Sequence, residues 1–527
     1  MSTATIPIKP VAFVERGSDW LNPILVKETR QALKSRQFVA TFLLMLVASW
    51  LISVFGIVLA GAGAEYGNFG GGFFFAYYLV LAVAVFLIVP FGAFRSLLAE
   101  RDQHTWEVLS ITTLKPRQIV WGKLLSAMVQ IFIYYSAITP FMAFAKLLKG
   151  IDVPTIATVL VASLLWSLAL SMIGLTASTF GSERTWQVFL TLAMLAGLLG
   201  AFIFSLMIVG SWAQVIEFDS LEFWWMIAFA VTMIGAYCVL FLQVAIGQLT
   251  FDADNRTTNV RLAASGVFFV SLAWAYAWTT LSGVWGIPAI PATEIAGVVQ
   301  VLAVLWSLHW LFVGLFAVTE ADVLSRRVRR NLAWFGPFRV LLAPLVPGGA
   351  RGLMYVAMHL AVILGFAYFE LYVHSAFNQE AIYFVSALCA YLFIYLGLGS
   401  LLGRLARRLS GDFRPAHARV TTVLLIAFGS LLPQPLRLLE EFNLTQMPYL
   451  GITDPFSTLT NLASINEFSA VLMLLLAFGV FAVLLLNLPA LLSGIVDLAR
   501  APILVPPSRQ RAAPEVAGPV PVAPEIA

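Results

Sequence analysis

Charge is what this chain has least of. Only 11% of its 527 residues are Asp, Glu, Lys or Arg, against 60% hydrophobic and 13% aromatic. A soluble domain carries about 25% charged residues, so the chain cannot cover a globule with polar surface. Cysteine is nearly absent as well. Cys238 and Cys389 each sit within an apolar run, which excludes a disulfide framework and reads as ordinary packing.

Other absences exclude chemistries. No G-x-x-x-x-G-K-[ST] occurs, so the chain has no phosphate-cradling loop and no ATPase site of its own. His104, His309, His359, His374 and His417 form no metal-spaced pair, and H-E-x-x-H and G-x-S-x-G are missing. No metal or bound cofactor is expected. Glu440-Glu441 has no arginine or histidine partner at helical spacing, which leaves no intramembrane protease pair. Residues 1–19 lack the pattern of a signal peptide, so the first apolar run is expected to insert uncleaved. The net charge of +4 comes without a basic-aromatic motif, and basic loops beside anionic lipid heads account for it without nucleic acid.

What is present is a succession of apolar runs, each near the twenty residues that cross a bilayer as a helix. The expected fold is an all-α polytopic membrane protein with about twelve spans, at 38–60, 73–94, 124–145, 153–180, 187–210, 223–248, 262–283, 295–318, 352–373, 381–403, 420–435 and 467–494. The eleventh run is the shortest before Pro433 and Pro435 and has a re-entrant alternative. With both termini inside, the internal segments hold 28 of the 31 Lys and Arg, leaving Lys146, Lys149 and Arg437 outside. That asymmetry follows the positive-inside rule and predicts a multi-pass protein of the cell membrane with cytoplasmic termini.

Two six-helix halves are expected, 38–250 and 262–500, joined by the polar linker 251–261. A cytoplasmic N-terminus (1–37) precedes them and a Pro-rich disordered tail (501–527) follows. Polar groups inside the runs are few: Gln130, Gln243, His309, His359 and Asn487. Glu294 and Glu370 fall at run ends, where water is expected to reach them. An ion-coupled transporter would bury carboxylates near mid-membrane.

Two polar elements stand out. In 20–37, Asn22-Pro23 makes a helix start, and the mixture of Leu21, Ile24 and Leu25 with Lys27, Glu28 and Arg30 suits a helix lying at the membrane interface. In 95–123, alternating charges with Trp106, Val108, Leu109 and Ile111 suit a short amphipathic helix, which Thr112-Thr113 ends before Lys115-Pro116 turns into the next span. Segment 319–351, rich in arginine, reads as a loop facing lipid phosphates.

Segment 95–123 resembles the ATPase-contacting segment of type-2 (ABC-2) ABC exporter permeases. Glu100, Thr105, Glu107, Leu109, Thr112, Leu114, Ile119, Gly122 and Lys123 fall in register with that family's pattern, while His104 and Thr113 depart from it. Asn22, Pro23, Ile24, Lys27, Glu28 and Arg30 also look like that family's first helix. The resemblance covers about residues 20–250. It implies a permease subunit without an ATPase site, coupled through Glu100, Arg101, Thr105, Trp106, Glu107, Leu109, Thr112 and Leu114 to a separate ABC ATPase that consumes the ATP. A homodimer or a second permease is a further partner it allows. An ion-coupled secondary transporter and a membrane scaffold or enzyme are the alternatives.

Overall fold

The structure, a computed structural model, describes residues 22–60, 69–102, 114–180, 184–212, 218–251, 253–286, 288–332, 338, 340–410, 412–435, 448–462 and 468–499. Among these it is helical with no strand, and eleven helices are long and apolar enough to cross a membrane. Most are apolar on every side, the pattern of a helix whose solvent is hydrocarbon. The first span shows the consequence: only 11% of its apolar window is buried by protein, and Leu44 and Val58 stand 69% and 70% exposed. This is an all-α polytopic membrane protein.

Packing divides the chain into two units. The first holds Met1–Asp252, Arg256–Ala296 and Val373–Ala376; the second holds Ala253–Asn255, Gly297–Tyr372 and Phe377–Ala527. The expected boundary at 251–261 is therefore displaced past the seventh span. The reason is local: the linker is too short to separate its flanking helices, which pack closely as a hairpin.

In the first unit, α1 (Pro23–Leu33) precedes the first span α2 (Arg36–Ala60). The second span runs as α3 (Gly70–Ala82), a π-helical turn (Val83–Ile88) and α4 (Val89–Asp102). The wide turn leaves the Val85 carbonyl to accept from Ser167 Oγ at 2.5 Å, so a neighbouring helix satisfies what the helix's own ladder releases. Then follow α5 (Pro116–Leu147), α6 (Val153–Ser178), α7 (Arg184–Trp212), α8 (Leu221–Leu249) and α9 (Thr258–Tyr276). Their core is aromatic, with Phe74, Tyr77, Phe86 and Phe94 fully enclosed. Hydroxyl pairs cross between helices, Thr41 with Tyr134, Ser53 with Tyr77 and Tyr135 with Ser163, placing each phenol in apolar surroundings with a partner.

The second unit contains α10 (Ala292–Val318) from Gly297 onward, α11 (Arg326–Leu332), α12 (Gly349–Val373) as far as Tyr372, α13 (Gln379–Leu409), α14 (Pro415–Leu431), α15 (Pro455–Leu462) and α16 (Ser469–Ala499). The arginine-rich segment folds back on itself. Glu320 and Asp322 accept from the backbone N–H groups of Gly348 and Ala350, both at 2.9 Å, and so cap α12. Arg351, 2% exposed, donates to the carbonyls of Pro347, Asp322 and Gly494. It is a buried cross-brace, and the lipid-facing expectation does not hold for it. Glu370 is likewise fully buried rather than open to water.

The eleventh crossing is discontinuous, between the span and re-entrant readings. At 17 residues α14 is about 25 Å long, short of the roughly 30 Å hydrocarbon core. It runs antiparallel to α13, with Gly403 beside Ala418, Gly399 beside Thr422 and Gly429 beside Tyr395. Pro433 and Pro435, lacking N–H groups, cannot extend it. The chain resumes at the same level. Tyr391 donates to the Ile452 carbonyl at 2.6 Å, with Thr458 Oγ1 also 2.8 Å from its hydroxyl, and Tyr395 donates to the Thr453 carbonyl. From there α15 carries on in the direction of α14, bringing Leu462 into the cluster of Ala387 and Leu472.

Candidate coupling site

Asn22 caps α1 through Oδ1, which accepts from Ile24 N–H at 3.0 Å, with Pro23 in the first turn. Its Nδ2 donates to the Gln118 carbonyl at 2.5 Å, so one side chain starts α1 and ties it to the beginning of α5. Gln118 in turn accepts from Lys115 N–H at 2.9 Å, fixing the turn into that span. Ile24 is buried in a cluster with Leu97, Ile119, Val120, Met172 and Leu175, and Leu114 packs against its edge. Ile24 thus meets protein rather than acyl chains. Lys27 and Arg30 are exposed.

Gly122 makes this contact possible. A Cβ there would lie 2.8 Å from Ile24 Cβ and 3.1 Å from Asn22 Nδ2. Replacing Gly122 with valine is expected to push α1 off α5 at a cost of about 1–3 kcal/mol. Limited proteolysis within α1 should accelerate, and unchanged cleavage would contradict the packing.

Beside this contact is an ion cluster. Lys123 Nζ lies 2.9 Å from Glu28 Oε1 and 3.1 Å from Glu100 Oε1, and Lys27 reaches the same Glu100 oxygen at 3.5 Å. The Lys123 side chain is 2% exposed, and those of Glu28 and Glu100 are 14% and 11% exposed. Two carboxylates stand where water would otherwise surround this buried lysine. The cluster joins α1, the end of α4 and the start of α5 in one block.

The structure places the expected site residues unequally. Glu100, expected to contact a partner, is turned into the chain by Lys123 and Lys27 and acts as a positioning group. Arg101 lies on α4. Thr105, Trp106, Glu107, Leu109 and Thr112 fall outside the described residues. Glu28 and Lys123 were each visible in the sequence, but not as a pair. The available signal was a lone lysine opening an apolar run, since such a residue needs an acid nearby.

Elsewhere, His359 Nδ1 lies 2.8 Å from the Tyr355 carbonyl, and its ring stacks on Trp310 at 4.0 Å. His309 meets Trp310 edge-on. Asn487 accepts from Arg404 and donates to the Gly397 and Val483 carbonyls. These groups pack and brace helices. No cluster of His, Cys, Asp and Glu suited to a metal ion is found among the described residues. Comparison with family models, curated proteins and solved structures finds no match to this chain.

Proposed function

We propose that this chain is the membrane subunit of an ABC exporter, driven by a separate ATPase that contacts residues 95–123. The block around Lys123 carries the reading. It locks α1 and both helices flanking residues 103–113 together, so a push on that segment would move the second and third spans as one body. The sequence register of 100–123 supplies the kind of partner. Glu100 holds the segment's root, and Glu107 is the carboxylate assigned to the ATPase surface.

Glu107→Lys reverses a charge at that surface and should weaken ATPase binding by about 2–5 kcal/mol while leaving the chain's own unfolding temperature unchanged. Affinity purification of the full chain in mild detergent reads the first, and thermal unfolding of the purified chain reads the second. Glu100→Lys should behave in the opposite order, lowering stability first. Undiminished ATPase recovery and transport in Glu107→Lys, at normal protein level, would remove the docking assignment.

A second reading, an ion-coupled secondary transporter, draws on two buried carboxylates the sequence did not place inside the fold, Glu370 and Asp454. Recovery of no ATPase, with transport that follows an ion gradient, would favour it.

A further inference from the structure

Irregular backbone halfway through a membrane span must be sealed inside protein or wetted, because acyl chains offer it no hydrogen bonds. The break in the eleventh crossing lies at that depth. Tyr391 is 12 residues from the Gln379 end of α13 and Tyr395 is 14 from the Leu409 end, about 18 and 21 Å along the helix. Among its described residues the break is not sealed. Ser430, Gln434, Ile452 and Thr453 are all partly exposed, and Tyr449 is 42% exposed.

The break is also polar. Asp454, 2% exposed, accepts from Gln434 Nε2 at 3.2 Å and from Phe456 N–H at 3.1 Å. The Thr453 hydroxyl is enclosed and has no protein partner. On α15, Thr460 is exposed and Asn461 partly exposed, places where a hydrocarbon-facing helix would hold Leu, Ile or Phe, while Ser457 and Thr458 are buried against protein.

We infer that the break opens onto a water-filled vestibule at half-depth, which admits hydrogen-bonding solutes bearing hydroxyl or amide groups rather than acyl chains. The vestibule would serve either energy source, so failure of the exporter reading leaves it standing.

Single cysteines at Thr453 and Gln434, in the full chain lacking Cys238 and Cys389, test it in sealed vesicles of both orientations. Ser410→Cys is the exposed loop control, and Phe428→Cys, on a residue 64% exposed in α14, is the lipid-facing control. A membrane-impermeant thiosulfonate should modify Thr453→Cys from one side about a hundredfold faster than Phe428→Cys, because a thiol must ionise in water to react. A sugar-bearing thiosulfonate should react there too. If Thr453→Cys fails to fold, Gln434→Cys carries the same expectation. Rates at both positions matching Phe428→Cys, while Ser410→Cys reacts, overturn the vestibule. Reaction with only the small reagent overturns admission of solutes.

Discussion

Replacing Lys123 with methionine should lower the stability of the purified protein by about 3–5 kcal/mol, because two partly buried carboxylates lose their shared cation. Glu28 and Glu100 would then face each other across the space the ammonium held. Intrinsic fluorescence during thermal unfolding in mild detergent measures the loss, which should appear as faster proteolysis of α1 as well. The triple variant Lys123→Met, Glu28→Gln, Glu100→Gln should recover much of it, since removing every member of a buried ion cluster costs far less than removing one. A single variant within about 1 kcal/mol of the parent would mean the cluster behaves as an exposed ion pair. The role in carrying motion proposed for the block would then lose its physical basis.

Arg351→Leu should be comparably damaging in the second unit, at about 2–4 kcal/mol. The carbonyls of Pro347, Asp322 and Gly494 lose a charged donor in a place with little water, and each unmet group costs about 1–3 kcal/mol with partial relaxation. Gly348 and Gly349 leave the surrounding chain little room to relax: a Cβ at Gly348 would meet the guanidinium and one at Gly349 the Val318 carbonyl, 2.6 Å away. Arg351→Lys separates charge from geometry, because an ammonium cannot span the same set of acceptors. It should restore less than half of the loss, measured by the same unfolding assay. Full rescue by lysine would show that the fan of hydrogen bonds is dispensable.

The membrane fold was legible because its determinant is local: twenty apolar residues in a row state their solvent without reference to the rest of the chain. The candidate coupling site was legible only in part. The Asn22 cap and Pro23 are written in adjacent residues, whereas Glu28, Glu100 and Lys123 come from three separate segments. Their union depends on Gly122 letting α1 approach α5, a steric fact that no charge pattern expresses. The eleventh crossing was the hardest to read. Its two pieces, α14 and α15, are each too short to declare themselves, and what aligns them is the phenol ladder of Tyr391 and Tyr395 on another helix. Glu370 was misplaced for a related reason: distance from a run's end says nothing about what packs over it.

The π-helical turn at Val83–Ile88 sets the phase of the second span. Each residue advances an α-helix by about 100°, so a helix that carries one residue more than its regular count presents a different azimuth to everything beyond it. Were the turn to relax to regular α geometry, the face of α4 bearing Glu100 would swing by about that angle and lose sight of Lys123. The extra residue therefore works like an offset in a keyway: the first half of the span can stay seated in its aromatic bed while the second half is indexed to the ion cluster. Ser167, whose hydroxyl occupies the Val85 carbonyl, is the detent that keeps the index from slipping.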